Sequence, residues 1–143
     1  MGKKVRICVI DGQGGGIGST LVRRLKEVYR EEHEVIALGT NAVATSQMMK
    51  ARANRGATGE NAIIQIIPTA DVIMGSISII LANAIMGELT PPVAEAIASA
   101  PALKILLPLP GTGVEVVGTT PEPLPHLVEK AVTGLLKEVL KNV

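Results

Sequence analysis

The chain has 143 residues, 47% of them hydrophobic, which is room for one domain around one core. Tyr29 is the only aromatic residue, and fourteen basic residues against thirteen acidic ones leave a net charge of about +1. Neither stacking platforms for single strands nor a field that gathers polyanions is present, so nucleic acid and membrane are not expected as partners.

Residues 5–10 form a short apolar run ending at Asp11-Gly12, the pattern of a strand covered on both faces. Ile17, Leu21, Leu25, Val28 and Tyr29 then recur at helical spacing, with Arg23, Arg24, Lys26, Glu27 and Arg30 opposite them. A second strand is expected over 34–38 and a helix over 42–53, capped by Thr40 or Asn41. Residues 52–61 read as a polar, glycine-punctuated loop, and 62–67 as a helix despite their isoleucines. A third strand follows over 71–74. The uncharged stretch 72–87 is shorter than the roughly 20 residues a bilayer needs, and its part from 77 to 86 is expected as an all-round apolar helix. Such a helix would lie in the core or in an interface between copies of the chain, so a homo-oligomer is expected.

Pro91 and Pro92 mark a helix start that runs to about Ser99. Strands are expected over 103–107 and 114–117. Only residues 108–113 join these two, too few for a helical crossover, so the last strand is expected antiparallel, with Gly111-Thr112-Gly113 turning the hairpin. Residues 124–140 carry an unbroken helical pattern. The whole reads as a single α/β domain over 1–143, a three-layer sandwich with a mostly parallel sheet of about five strands. Cys8 has no second cysteine to pair with, and no signal-peptide pattern follows Lys3 and Lys4; a reducing, cytoplasmic setting is expected.

The first strand runs into Asp11-Gly12-Gln13-Gly14-Gly15-Gly16-Ile17-Gly18. In an open parallel sheet, ligands bind beyond the carboxyl ends of the strands, where a helix N-terminus offers free N–H groups and a partial positive charge. Glycines there let the backbone approach a phosphate. Gly12, Gly14, Gly15, Gly16, Ile17 and Gly18 are therefore the candidate phosphate cradle. The G-x-G-x-x-G fingerprint fails, because Ile17 stands where its third glycine belongs. Gly12-x-x-x-Gly16-Ile17-Gly18 resembles the short-chain dehydrogenase pattern instead, but Tyr29 has no lysine four residues on, so that chemistry is ruled out. No acidic residue stands at the end of the second strand to hold a ribose; Gly39, Thr40 and Asn41 do.

Asp11 reads equally well as a cap for the loop amides and as a reacting group. Thr40 and Asn41 present a second helix start on the same edge, Arg52 and Arg55 a possible anion clamp, and Ser76 a hydroxyl after the third strand. Glu60 and Asp11 are the candidate acid/base groups if there is catalysis. His33 and His126 find no triad partners, and no spacing supports a metal site.

Four segments resemble a family of uncharacterised bacterial, Rossmann-like proteins, the domain-of-unknown-function family numbered 3842. They are Val9-Ile10-Asp11-Gly12-Gln13-Gly14-Gly15-Gly16-Ile17-Gly18, Ile36-Ala37-Leu38-Gly39-Thr40-Asn41-Ala42, Ala53-Asn54-Arg55-Gly56-Ala57-Thr58-Gly59-Glu60-Asn61-Ala62 and Gly87-Glu88-Leu89-Thr90-Pro91. The resemblance implies a fold but brings no activity, substrate or catalytic residue. A shorter likeness, through Ala70-Asp71-Val72-Ile73-Met74-Gly75 and Ala94-Glu95-Ala96-Ile97, is to the gluconeogenesis-factor and phospholactate-transferase group. It would imply a phosphorylated or nucleotide-sugar ligand. The expectation is a protein that binds a nucleotide, a dinucleotide or another phosphorylated small molecule at the glycine loop. An enzyme acting on such a molecule, and a regulatory or structural homo-oligomer without catalysis, stand as alternatives.

Overall fold

The computed structural model describes residues 3–142. Strand β1 (Arg6–Asp11) leads through the glycine loop into helix α1 (Gly16–Tyr29). Strand β2 (Glu34–Gly39) and helix α2 (Ala42–Lys50) follow, then β3 (Arg55–Thr58), α3 (Glu60–Ile66) and a 3-10 turn over Ile67–Thr69. Strand β4 (Val72–Ser76) passes into a second 3-10 turn (Ile77–Ile80) and an irregular loop. The chain continues through α4 (Pro91–Ser99) and β5 (Leu103–Leu107) to a C-terminal helical run: α5 (Leu124–Glu129), a π segment (Lys130–Leu135) and α6 (Leu136–Leu140).

The strands form one five-stranded sheet in the order β3-β2-β1-β4-β5, every pair parallel. Alternate residues of β1 enter two separate cores, as the two-residue period of a strand requires. Ile7 and Val9 pack with Leu21 and Leu25 of α1, Met48 of α2 and Leu127, Val132 and Leu136 of the C-terminal run. Cys8 and Ile10 pack on the other face with Ile63 of α3 and Val93 and Ile97 of α4. Burial on both faces is why the central strands are apolar throughout rather than alternating. The strand order reverses between β1 and β4, so the carboxyl ends of these two strands border a crevice.

Four expectations need correction. No strand forms over 114–117, and no antiparallel strand is present among the described residues; the β-branched Val114, Val116 and Val117 lie exposed in irregular chain. The fifth strand is β3, inside the segment read as a polar loop. It is an edge strand with mostly exposed residues, so little hydrophobic signal marks it. The helix over 77–86 is also absent. One 3-10 turn is followed by turns in which Asn83, Ile85 and Met86 all have positive φ, at 67°, 57° and 52°. Ile79, Ile80 and Ile85 of this segment pack in or against the second core, and Ala84 to Met86 line the crevice. Helix α2 ends at Lys50, three residues early, while the helix at 62–67 is present as α3 and its 3-10 extension.

The π segment has a visible partner. The Tyr29 hydroxyl donates to the Val132 carbonyl at 2.6 Å, within the widened turn. No helix among the described residues is long and apolar enough to cross a membrane.

Candidate functional site

Not all the glycines of the loop serve the same end. Gly15 caps α1 with a left-handed backbone (φ 73°), and a Cβ there would lie 2.8 Å from the Ala44 carbonyl oxygen of α2. A Cβ on Gly18 would meet the Met48 sulfur at 2.5 Å and the Asp11 Cβ at 2.8 Å. Gly12 is hemmed in by Thr40, Ile85 and Glu88. These three glycines are demanded by the packing of the chain itself. Gly14 and Gly16 are not: neither has a positive φ, and a Cβ on either would point into open space. Their amides also find no acceptor among the described residues.

Asp11 organises the loop from beneath. It is 8% exposed, and its two carboxylate oxygens accept separately from the Gly12 amide (2.7 Å) and the Gly18 amide (2.6 Å). Burial pushes its carboxyl above the ordinary value, and the amides of Gly18, Gly12 and Ile17 pull against that rise. Asp11 is thus a cap for the loop amides.

A cleft of about 580 Å³ opens above these residues. The glycine loop forms its floor, Ser76 and Ser78 at the end of β4 one side, Ala84 to Met86 a second, and Pro110 to Thr112 beyond β5 a third. Ser76 is buried, and its hydroxyl accepts from the Ser78 amide at 3.2 Å and contacts the Ser78 hydroxyl. Among the described residues, no lysine, arginine or histidine lines the cleft. An anion held here would rely on backbone N–H groups and the N-terminal end of α1. Gly111 and Thr112, expected to turn a hairpin, are instead part of a wall.

Thr40 and Asn41 lie beside the loop but face a different partner. The Asn41 side chain accepts from the Ala44 amide, capping α2, and donates to the Gln13 carbonyl and to Glu88. Glu88 Oε1 accepts from the Gln13 amide (2.9 Å), the Thr40 hydroxyl (2.7 Å) and the Asn41 side-chain amide (2.8 Å). These donors, the Gln13 amide foremost, hold its carboxyl below the ordinary value. A carboxylate thus sits at the tip of β2, although the sequence puts none there; it comes from the loop after β4. Spacing gives no sign of this, because residues 40 and 88 meet only through the crossover of the sheet.

The other candidates are elsewhere. Arg55 begins β3 and pairs with Glu34 at 3.0 Å, towards the opposite end of the strands. Arg52 is exposed beside Arg23, Lys26 and Lys50 on the surface of α1 and α2. Glu60 opens α3 and accepts from the Thr90 hydroxyl at 2.5 Å, outside the cleft. His33 Nδ1 accepts from the Val5 amide, a structural role, and His126 is exposed. Among the described residues, no group of three His, Cys, Asp or Glu side chains is placed to hold a metal ion.

No curated protein and no solved structure matches the chain. One family model does, over residues 6–140, which takes in every strand, the glycine loop and the cleft, and the chain belongs to that family, described as a domain of unknown function (DUF3842).

Proposed function

We propose that this chain is a Rossmann-like binding protein that holds a phosphorylated small molecule, a nucleotide among the candidate classes, with a phosphate on the loop amides at the start of α1. One observation carries this reading: Gly14 and Gly16 line the cleft, meet no requirement of the fold, and have open space at Cβ and amides without an acceptor among the described residues. A side chain at either position would take the room a phosphate needs. The strand order and the location of the cleft at the β1–β4 reversal support the same mode. The cleft residues, without a cation among them, favour phosphate esters of low charge over a polyphosphate that would call for lysine, arginine or a metal.

Thermal-shift measurement against nucleotides and sugar phosphates tests the reading, since a ligand of the folded state raises apparent stability. We expect at least one compound to raise the melting temperature. Gly14→Ala and Gly16→Ala should keep wild-type stability to within about 0.5 kcal/mol, or better it, and lose the shift. Gly15→Ala should lose about 2 kcal/mol or more, through its left-handed backbone and its contact with α2. If no compound acts, or if both alanine variants respond like the wild type, the loop is a packing device and the proposal fails.

A further inference from the structure

We infer that Ile85 and Glu88 are specificity-determining residues: they fill the place at the tip of β2 where an extended dinucleotide would lay a ribose, and so restrict the site to compact phosphate esters. The inference rests on the binding mode proposed above. In open parallel sheets that bind dinucleotides, the pyrophosphate lies on the first loop and the neighbouring ribose reaches the end of the second strand, where a carboxylate takes its hydroxyls. Here that place belongs to the protein. A Cβ built on Gly12 would find the Thr40 hydroxyl at 2.7 Å, Ile85 Cγ2 at 2.8 Å and Glu88 Oε1 at 3.0 Å. Glu88 Oε1 also takes the Gln13 amide, Thr40 and Asn41.

The obstruction is built into its own loop. The Asn83 amide donates to the Leu89 carbonyl at 2.7 Å, the Leu89 amide to Ala84 at 3.1 Å, and the Gly87 amide to Asn83 at 3.2 Å. On the far side, Thr90 is tied to Glu60. Ile85 packs against the second core while holding a φ of 57°, a conformation a β-branched residue rarely adopts. The cleft runs from the glycine loop and Ile85 to Ser76 at the end of β4 and Pro110 to Thr112 beyond β5, and neither Thr40, Asn41 nor Glu88 lines it. Selection by occupied space, rather than by an added attraction, is a common way to reject a larger relative of the true ligand.

Calorimetric titration with two probes separates the outcomes: ribose 5-phosphate, and ADP-ribose, in which the same group is joined through a pyrophosphate to adenosine 5′-monophosphate. The wild type should bind ribose 5-phosphate and hold ADP-ribose weaker by about tenfold or more. The double variant Ile85→Gly, Glu88→Ala should shift the preference for ADP-ribose over ribose 5-phosphate by about tenfold or more relative to the wild type. Ile85→Gly alone suits the local backbone, keeps the Glu88 bonds and should show part of that shift should the double variant not fold. Wild type that binds ADP-ribose as well as the compact probe, or variants whose preference is unchanged, would overturn the inference. The glycine-loop reading would survive that result if Gly14→Ala still abolished binding. ADP-ribose held by the wild type and lost in Glu88→Ala would also overturn it, making Glu88 a ribose acceptor. If neither probe binds any of these proteins, the inference fails, and the loop reading fails too only when no other phosphate ester shifts the melting temperature.

Discussion

At Asp11 two opposing demands meet. The Gly12 and Gly18 amides each need an acceptor, and the carboxylate that serves them is 8% exposed, where charge is disfavoured. Burial is the larger effect, so the folded state holds the proton more tightly than the free carboxyl, whose ordinary value is 3.8. Stability drawn from this group is therefore full below 3.8 and is lost as pH rises through the folded value. Asparagine offers one acceptor oxygen and does not titrate, so Asp11→Asn leaves one buried amide unpaired at a cost of about 1–3 kcal/mol. That deficit against the wild type should be largest near about pH 4 and shrink towards about pH 7 in urea unfolding. A deficit that widens with pH would show that the amides outweigh burial. The sequence leaves Asp11 balanced between cap and reacting group; the capping role becomes visible only in the two short amide contacts.

The elements whose sequence pattern matches their burial are the ones the sequence reveals. β1, β2, β4 and β5 and helices α1 and α4 each carry apolar residues at the spacing of the faces they bury. β3 fails the test because its residues, Arg55-Gly56-Ala57-Thr58, lie on an edge with little to bury; backbone pairing to β2 alone defines it. Residues 77–86 fail in the opposite sense. They are apolar enough for a buried helix, but the backbone takes positive φ at Asn83, Ile85 and Met86, and Ser78 and residues 84–86 line the cleft. Glu88, which fastens this loop, is invisible in sequence because its donors come from residues 13, 40 and 41. Its carboxyl is held below the ordinary 4.5, so its contribution is present above 4.5 and disappears as pH falls through the lower folded value. In amide-resolved spectra, the Gln13 signal should titrate with a midpoint below 4.5, and Glu88→Gln should abolish that titration. A flat Gln13 signal in the wild type would mean that the loop is fastened by other contacts.

Over the whole molecule, the sheet is closed on both faces, but the chain leaves it after β5 and rejoins it only at α5. Residues 113–121 in that passage are exposed throughout, and Thr112 and Glu122 at its margins are half-buried. The C-terminal run beyond it is bonded to Glu122 at the end of the passage through Lys130 at 2.6 Å, but its main hold is on the sheet and α1. Leu127, Val128, Val132 and Leu136 enter the first core, Arg24 grips Glu129 at 2.8 and 3.0 Å, and Tyr29 bonds to Val132. Exposed chain without regular structure is where proteases act first. Glutamyl endopeptidase should therefore cut first after Glu115, and the two fragments should elute together from a sizing column. Fragments that separate would mean that the passage itself holds the C-terminal run in place. Pro110 to Thr112 form one wall of the cleft, only a few residues before the cut. A compact phosphate ester bound there should slow the cleavage, whereas the same compound should leave it unchanged in Gly16→Ala. Equal cutting rates with and without ligand in the wild type would separate that wall from the binding site.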